Sequence, residues 1–371
     1  MKFTVKNNDL LQIISKTMGV IPTRSTIPEL EYLLFSLSEN KLTATGTDTE
    51  VTIISKIVVK GERNGSVLIP TKRVFETLKN QPGKEITFIV EDEKSKIKIS
   101  TDTGTFHPGG IESNKFPETP ALKSPESFNI SGKTFQEIIS TTIFAVSHDD
   151  LRPSMTGVCF ELQDATLNIV STDGHRLVKQ TLVLKPATKI NRTFIIPTKA
   201  LTQIEKSLSD DDVQINLTDE YASFILKNAT IITRLITEKY PNYNTVIPTD
   251  NNSKLIVEKS ALLQATKIVA IYSNTISHQV RFALKENQIK IAAEDVDFGS
   301  DANETVSCEY NDDEMEIGFN ANYIVDALTH LNGDSVVFKL STATRAIIIE
   351  PAEKDKDKET MMLVMPVRLN N

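Results

Sequence analysis

Apolar and polar residues alternate over short stretches of the chain, then shift to a helical spacing, and the shift recurs. Phe3-Thr4-Val5, Phe128-Asn129-Ile130 and Leu255-Ile256-Val257 each read as a short strand. A helical pattern follows each one: Leu10, Leu11 and Ile14; Phe135, Ile138 and Ile139; Leu262, Leu263, Thr266, Ile268 and Val269. Ser260 stands at the start of the third helix as its expected N-cap. Strands alternating in polarity then return at Leu33–Leu37, Val158–Leu162 and Val280–Leu284. They lead to strands that end on acidic turns: Gly46-Thr47-Asp48, Ser171-Thr172-Asp173 and Ala293-Glu294-Asp295.

The second half of each stretch repeats as well. Leu68-Ile69-Pro70-Thr71-Lys72 matches Ile195-Ile196-Pro197-Thr198-Lys199 and, more loosely, Gly318-Phe319-Asn320-Ala321-Asn322. Helical patterns follow at Val74, Phe75 and Leu78, at Leu201, Ile204 and Leu208, and at Tyr323, Ile324, Val325 and Leu328. Each stretch closes on an aromatic or Met before proline: Phe116-Pro117, Tyr240-Pro241, Met365-Pro366. The interval is roughly 125 residues throughout. The pattern implies three equivalent α+β domains, at residues 1–120, 121–248 and 249–371, each built from a unit that itself occurs twice. Six helices and six sheets arrayed in this way leave two unpaired sheet edges, a liability that head-to-tail pairing with a second copy would remove by closing a ring.

Composition constrains this picture modestly. A chain of 371 residues is long enough for two or three cores. The N-terminal Met1-Lys2-Phe3-Thr4-Val5 reads as a strand and lacks the apolar core of a signal peptide. Cys159 and Cys308 lie in apolar strand-like stretches and read as reduced thiols of a cytoplasmic protein rather than as a disulfide. A net charge of −8 argues against a uniformly basic nucleic-acid binder, yet a protein that holds DNA by topology needs only a locally positive lining.

Three motifs could mislead. Ser131-Gly132-Lys133-Thr134 resembles the end of a phosphate-binding loop, but Ser127 stands where the first glycine is required and the repeat places Lys133 at a helix start. The five histidines and two cysteines show no metal-ligand spacing. Glu91-Asp92-Glu93, Asp210-Asp211-Asp212 and the stretch from Glu353 to Glu359 read as solvated loops. Asp173-Gly174-His175 places an acid beside a base, but adjacent turn residues rarely converge on one substrate atom. A hydrolase there would also need a nucleophile, for which only Thr172 is at hand.

Thr172-Asp173-Gly174-His175-Arg176-Leu177, Glu314-Met315-Glu316-Ile317-Gly318-Phe319-Asn320 and the C-terminal Met365-Pro366-Val367-Arg368-Leu369, set in a threefold repeat, resemble the β subunit of bacterial DNA polymerase III. The resemblance covers nearly the whole chain. It implies three clamp domains per chain and a head-to-tail homodimer forming a six-domain ring, with helices inside and sheets outside. Such a ring would encircle duplex DNA without reading its sequence and tether the polymerase catalytic subunit, the clamp loader and repair proteins. It would have no catalytic site, cofactor or metal. The resemblance assigns Arg24, Arg73, Arg152 and Lys199 to DNA, for each of which a solvated surface charge is the competing reading. It assigns Met155, Thr172, Gly174, His175, Arg176, Leu177, Pro241 and Val246 to a partner-peptide pocket, with Leu363, Val364, Met365, Pro366, Val367, Arg368 and Leu369 from the tail. Phe106 and Pro108 on one side, and Ile271 and Tyr272 on the other, are implied at the dimer interface, with core packing as the alternative. Pro153, Ser154, Thr198, Thr245 and Ser277 depart from the family pattern and bear on DNA and peptide contacts. The competing function is a repeat scaffold that binds proteins without encircling DNA.

Overall fold

A computed structural model describes residues 1–91 and 96–369. Asp92 and Glu93 of the first acidic run therefore lie outside the described residues. Six α-helices are present among them, two per repeat: α1 (Asn7–Thr17), α2 (Thr71–Lys79), α3 (Gly132–Thr142), α4 (Thr198–Glu205), α5 (Lys259–Ala270) and α6 (Ala321–His330). None is long and apolar enough to cross a membrane.

The strands form as their polarity dictates. In Tyr32–Ser38 the side chains of Leu33, Phe35 and Leu37 are buried and the intervening ones are not. Helix α5 buries Leu262, Ala265, Thr266 and Val269, one stripe at helical spacing. Each fully buried Leu, Val or Phe contributes about 1.5–3 kcal/mol relative to exposure. In the first repeat Phe3, Phe35 and Phe88 form the aromatic centre of the core, with Phe3 stacked on Phe88 at 5.0 Å. In the third, Phe282 meets Phe319 edge-on at 5.3 Å.

The repeat is exact enough to be seen in single hydrogen bonds. The first residue of α1, α3 and α5 donates its N–H to a carbonyl in the loop after the second helix of the same repeat: Asn7 to Lys84, Gly132 to Asp211, Lys259 to Asp334. This accounts for the glycine of the loop-like motif. A Cβ on Gly132 would sit 1.9 Å from the Ser209 carbonyl oxygen, so close backbone packing requires the glycine, and its N–H is already used. A second signature closes each repeat with a one-residue antiparallel bridge: Leu68 with Ile111, Ile195 with Ile236, Gly318 with Val367.

Two expectations need correction. Ser260 is not the N-cap of α5. The Glu258 carboxylate takes that place, accepting from the N–H groups of Ser260 and Ala261, because a charged acceptor two residues earlier also meets the positive end of the helix. Its carboxyl is held below the usual range, chiefly by the Ser260 hydroxyl. Nor do six half-repeats give six sheets. The described strands form three, of five, eight and twelve strands, because strands of neighbouring half-repeats hydrogen-bond to each other.

Contacts divide the chain into two units, Met1–Gln136 with Lys199–Leu235, and Glu137–Thr198 with Ile236–Asn371. The middle repeat is thus shared between them. The first unit holds the five- and eight-stranded sheets, and in the latter strand Val51–Val58 of repeat 1 pairs with strand Ala229–Arg234 of repeat 2. The second unit holds the twelve-stranded sheet, where strand Arg176–Val183 of repeat 2 pairs with strand Lys358–Val364 of repeat 3. The solvated stretch from Glu353 ends at this last strand, which takes in Lys358 and Glu359.

Candidate functional site

The turn at 172–176 in the second unit is built by its own side chains. Thr172 Oγ1 donates to the Arg176 carbonyl at 2.7 Å and accepts from the Gly174 N–H. Asp173 Oδ1 accepts from the N–H groups of His175 and Arg176 at 2.9 and 3.0 Å. Gly174 has φ +92°, a conformation that favours glycine. Asp173 and His175 are therefore turn-forming neighbours and do not converge on a common point as an acid–base pair would.

Beyond the turn, Leu177 pairs with Leu363 and Arg176 with Val364 across the strand junction. Met365 N–H donates to the His175 carbonyl at 2.9 Å, which carries the tail over the turn. Val367 N–H then donates to the Gly318 carbonyl, and Leu369 packs where a Cβ on Gly318 would stand. Leu177 and Leu363 share an apolar cluster with Cys159, Tyr240 and Tyr243. Met155 is buried on the short turn Pro153–Thr156 and lies 3.9 Å from where a Gly174 Cβ would be. Pro241 and Val246 are exposed on the segment after Tyr240, as are Met365 and Arg368 on the tail. Burial pushes the Cys159 thiol up to about 12 and raises Tyr240 and Tyr243 as well, with Glu161 accepting from the Tyr243 hydroxyl at 2.6 Å. Tyr240, Tyr243 and Glu161 were not singled out from sequence beyond the Tyr-Pro that closes the repeat.

Arg176 has unexpected company. Its Nε donates to Asp173 Oδ2 at 3.0 Å, Nη1 to Asp326 Oδ2 at 2.5 Å and Nη2 to the Phe144 carbonyl at 2.6 Å. Its guanidinium carbon lies 5.2 Å from the Phe144 ring centre and 4.8 Å from that of Tyr323. His330 stacks on Phe144 and His175 on Tyr323, at 4.1 and 6.3 Å. Phe144, Tyr323, Asp326 and His330 carry no sequence mark of this arrangement, since it depends on α6 meeting a turn some 150 residues away.

The basic residues differ in how free they are. Arg24 is exposed and makes no ion pair among the described residues. Arg73 donates to the Pro108 carbonyl at 3.1 Å. Arg152 pairs with Asp149 at 2.9 Å and donates to the Asp173 carbonyl. Lys199 pairs with Asp48. At the edges of the chain, Phe106 is half-buried against the first core and Pro108 is buried. Ile271 is 78 % exposed and Tyr272 41 % exposed, which excludes core packing within the chain for both. Ile276, Val296 and Phe298 are exposed too, and Asn274 bonded to Asp297 ties their two loops together. Sequence alternation did not mark these three, because exposed apolar residues in turns have no periodicity.

Among the described residues no group of three or more His, Cys, Asp or Glu could hold a metal ion. A threefold α+β repeat with an apolar strand junction and a docked tail is a protein that works through its surfaces. Models of the DNA polymerase III beta subunit match its N-terminal domain at residues 1–120, its central domain at 129–242 and its C-terminal domain at 244–368. The chain belongs to the DNA polymerase III beta subunit family. The beta sliding clamp of Haemophilus influenzae is 30 % identical over 375 residues, all of both chains. A crystal structure of the Pseudomonas aeruginosa sliding clamp bound to griselimycin matches with a TM-score of 0.94 at 28 % identity, and the Bacillus subtilis clamp with 0.95 at 25 %, each covering all of both chains. The function is that of a DNA polymerase III sliding clamp, a non-catalytic processivity factor.

Proposed function

We propose that two copies of this chain close head to tail around duplex DNA and tether the polymerase, the clamp loader and repair proteins through peptides docked at the second strand junction. The observation that carries the ring is a missing partner. Equivalent strands meet within the chain at Val51–Val58 with Ala229–Arg234 and at Arg176–Val183 with Lys358–Val364. The third such pair would join strand Thr105–Phe106 to strand Ser300–Glu309. The first is the edge of its sheet, and residues 300–307 of the second pair on one side only. A second copy supplies each with its neighbour, and the exposed Ile271, Tyr272, Val296 and Phe298 would be covered beside it. DNA contacts fall to Arg24, Arg73, Arg152 and Lys199, of which Arg24 is the freest. Phosphate contacts suit a sliding tether, since they carry no sequence information.

Topology tests the ring: loaded on nicked circular DNA, the protein should stay bound until the circle is linearised, and a scaffold that does not encircle DNA would ignore the cut. The peptide site is tested by truncation before Met365. That removes the apolar side chains of Met365, Val367 and Leu369, each worth a share of about 1.5–3 kcal/mol at full burial. Every loss of about 1.4 kcal/mol weakens binding tenfold. Calorimetry with a short peptide carrying Gln, Leu and Phe should show binding abolished while light scattering still shows a dimer. Undiminished affinity would move the partner site elsewhere.

A further inference from the structure

We propose that Asp326 is a positioning residue of the partner site: it anchors Arg176 to α6 and so holds that side chain, and the face of the 172–177 turn, in the shape a docked peptide meets. The proposal rests on the peptide-docking reading above. The Arg176 guanidinium lies near the rings of Phe144 and Tyr323 and donates to Asp173, Asp326 and the Phe144 carbonyl. Its side chain is only 14 % exposed. Three of its five N–H donors are thus spent inside the chain, so it acts as a strut more than as a free hand for ligand.

Asp173 and Asp326 do different work within this cage. Asp173 orders the turn, since one oxygen takes two backbone N–H groups and the other takes Arg176 Nε. Asp326 touches no part of the turn's backbone. Its carboxylate reaches Arg176 alone among the described contacts, from a different element. The first junction makes the same turn with a different tie to the following helix, Asp48 pairing with Lys199 of α4. There Asp48 takes the N–H groups of Glu50 and Val51 in the same way, while Val51 stands in place of Arg176 and Gln203 in place of Asp326. The turn therefore does not require an Arg176–Asp326 bond in particular, and this bond occurs at the junction where the apolar cluster and the tail lie. Without Asp326 the guanidinium keeps Asp173 and the Phe144 carbonyl but loses its bond to α6, and its position becomes less fixed.

The test is peptide binding by the full chain, read by fluorescence anisotropy with a labelled peptide carrying Gln, Leu and Phe. Asp326→Ala should weaken binding about tenfold, and Asp326→Glu should restore most of it. The double variant Arg176→Gln with Asp326→Ala should bind no worse than Arg176→Gln alone, because Asp326 acts through Arg176. Melting curves of the variants should stay close to that of the wild type, Asp326 being partly exposed on a helix. Unchanged binding by Asp326→Ala, or additive losses in the double variant, would overturn the proposal while leaving the docking site in place. Failure of the wild type to bind the peptide would overturn the docking reading, and this proposal with it.

Discussion

The two strand junctions inside the chain share one backbone and differ in nearly every side chain that matters. At the first, Thr47 Oγ1 donates to the Val51 carbonyl, Thr49 N–H donates to Thr47 Oγ1, Asp48 Oδ1 accepts from Glu50 and Val51, and Arg234 N–H donates to the Glu50 carbonyl. At the second, Thr172, Gly174, Asp173, His175, Arg176 and Met365 make the same bonds in the same order. Yet Val51 is buried where Arg176 sits in its aromatic cage, and Gly19, against which Gln203 packs, stands where Phe144 does. The comparison teaches that the turn is a structural joint, and that the two joints are made different by substitution around a shared backbone. Charged Glu50 and Arg234 at the first joint replace His175 and Met365 at the second, which leaves no apolar surface of the same kind for a peptide.

The sharpest way to break this comparison is to exchange the residues. Val51→Arg would bury a guanidinium with no carboxylate in the place of Asp326 and with Asp48 already paired to Lys199, and a buried charge without a free partner costs about 3–5 kcal/mol. Denaturant unfolding should show that loss; a cost below about 1 kcal/mol would mean the first joint can accept the cage. The reverse change, Arg176→Val, leaves Asp173 and Asp326 without their cation and should cost about 1.5–3 kcal/mol, the range for hydrogen bonds to charged groups.

A smaller effect sharpens the comparison by its sign. Thr49 holds φ +78° and Gly174 φ +92° at the same turn position. A β-branched residue is strained there and glycine is not. Thr49→Gly should stabilise by about 0.5–1 kcal/mol and Gly174→Ala should destabilise by about 1 kcal/mol, both read from denaturant midpoints. Two changes of the same sign would show that the turns are not equivalent. The smallest effect concerns DNA. Asp48 pairs with Lys199 at the first joint, so Asp48→Asn should free that lysine and tighten weak binding to short linear duplex by about twofold at low salt, with the gain fading as salt rises.

The repeat was legible because buried alternation and helical stripes leave a mark in every copy, as Leu33, Phe35 and Leu37 do in the first. The turn and tail residues that the resemblance assigns to a partner pocket are brought together by the structure, where Leu177, Leu363, Met365 and the turn meet. What sequence did not reveal depends on who meets whom in space. The resemblance assigned Arg176 to the partner-peptide pocket, but its partners on α6 and at Phe144 lie far along the chain. Lys199 and Arg73 read as free cations, yet each is engaged by a group no local pattern announces, Asp48 and the Pro108 carbonyl. The cap of α5 escaped because Glu is a less common cap than Ser, and both stood within two positions of the helix start.

The sharing of the middle repeat between two units has a consequence for how such a chain can be taken apart. The segments that repeat in sequence are units of duplication, whereas the segments that cohere are offset from them by half a period. Cutting the chain at a repeat border would split the eight-stranded sheet four and four, or the twelve-stranded sheet four and eight, and leave open edges on both sides. A single excised repeat should therefore be a poor folder, and heredity and mechanics count the pieces of this molecule differently.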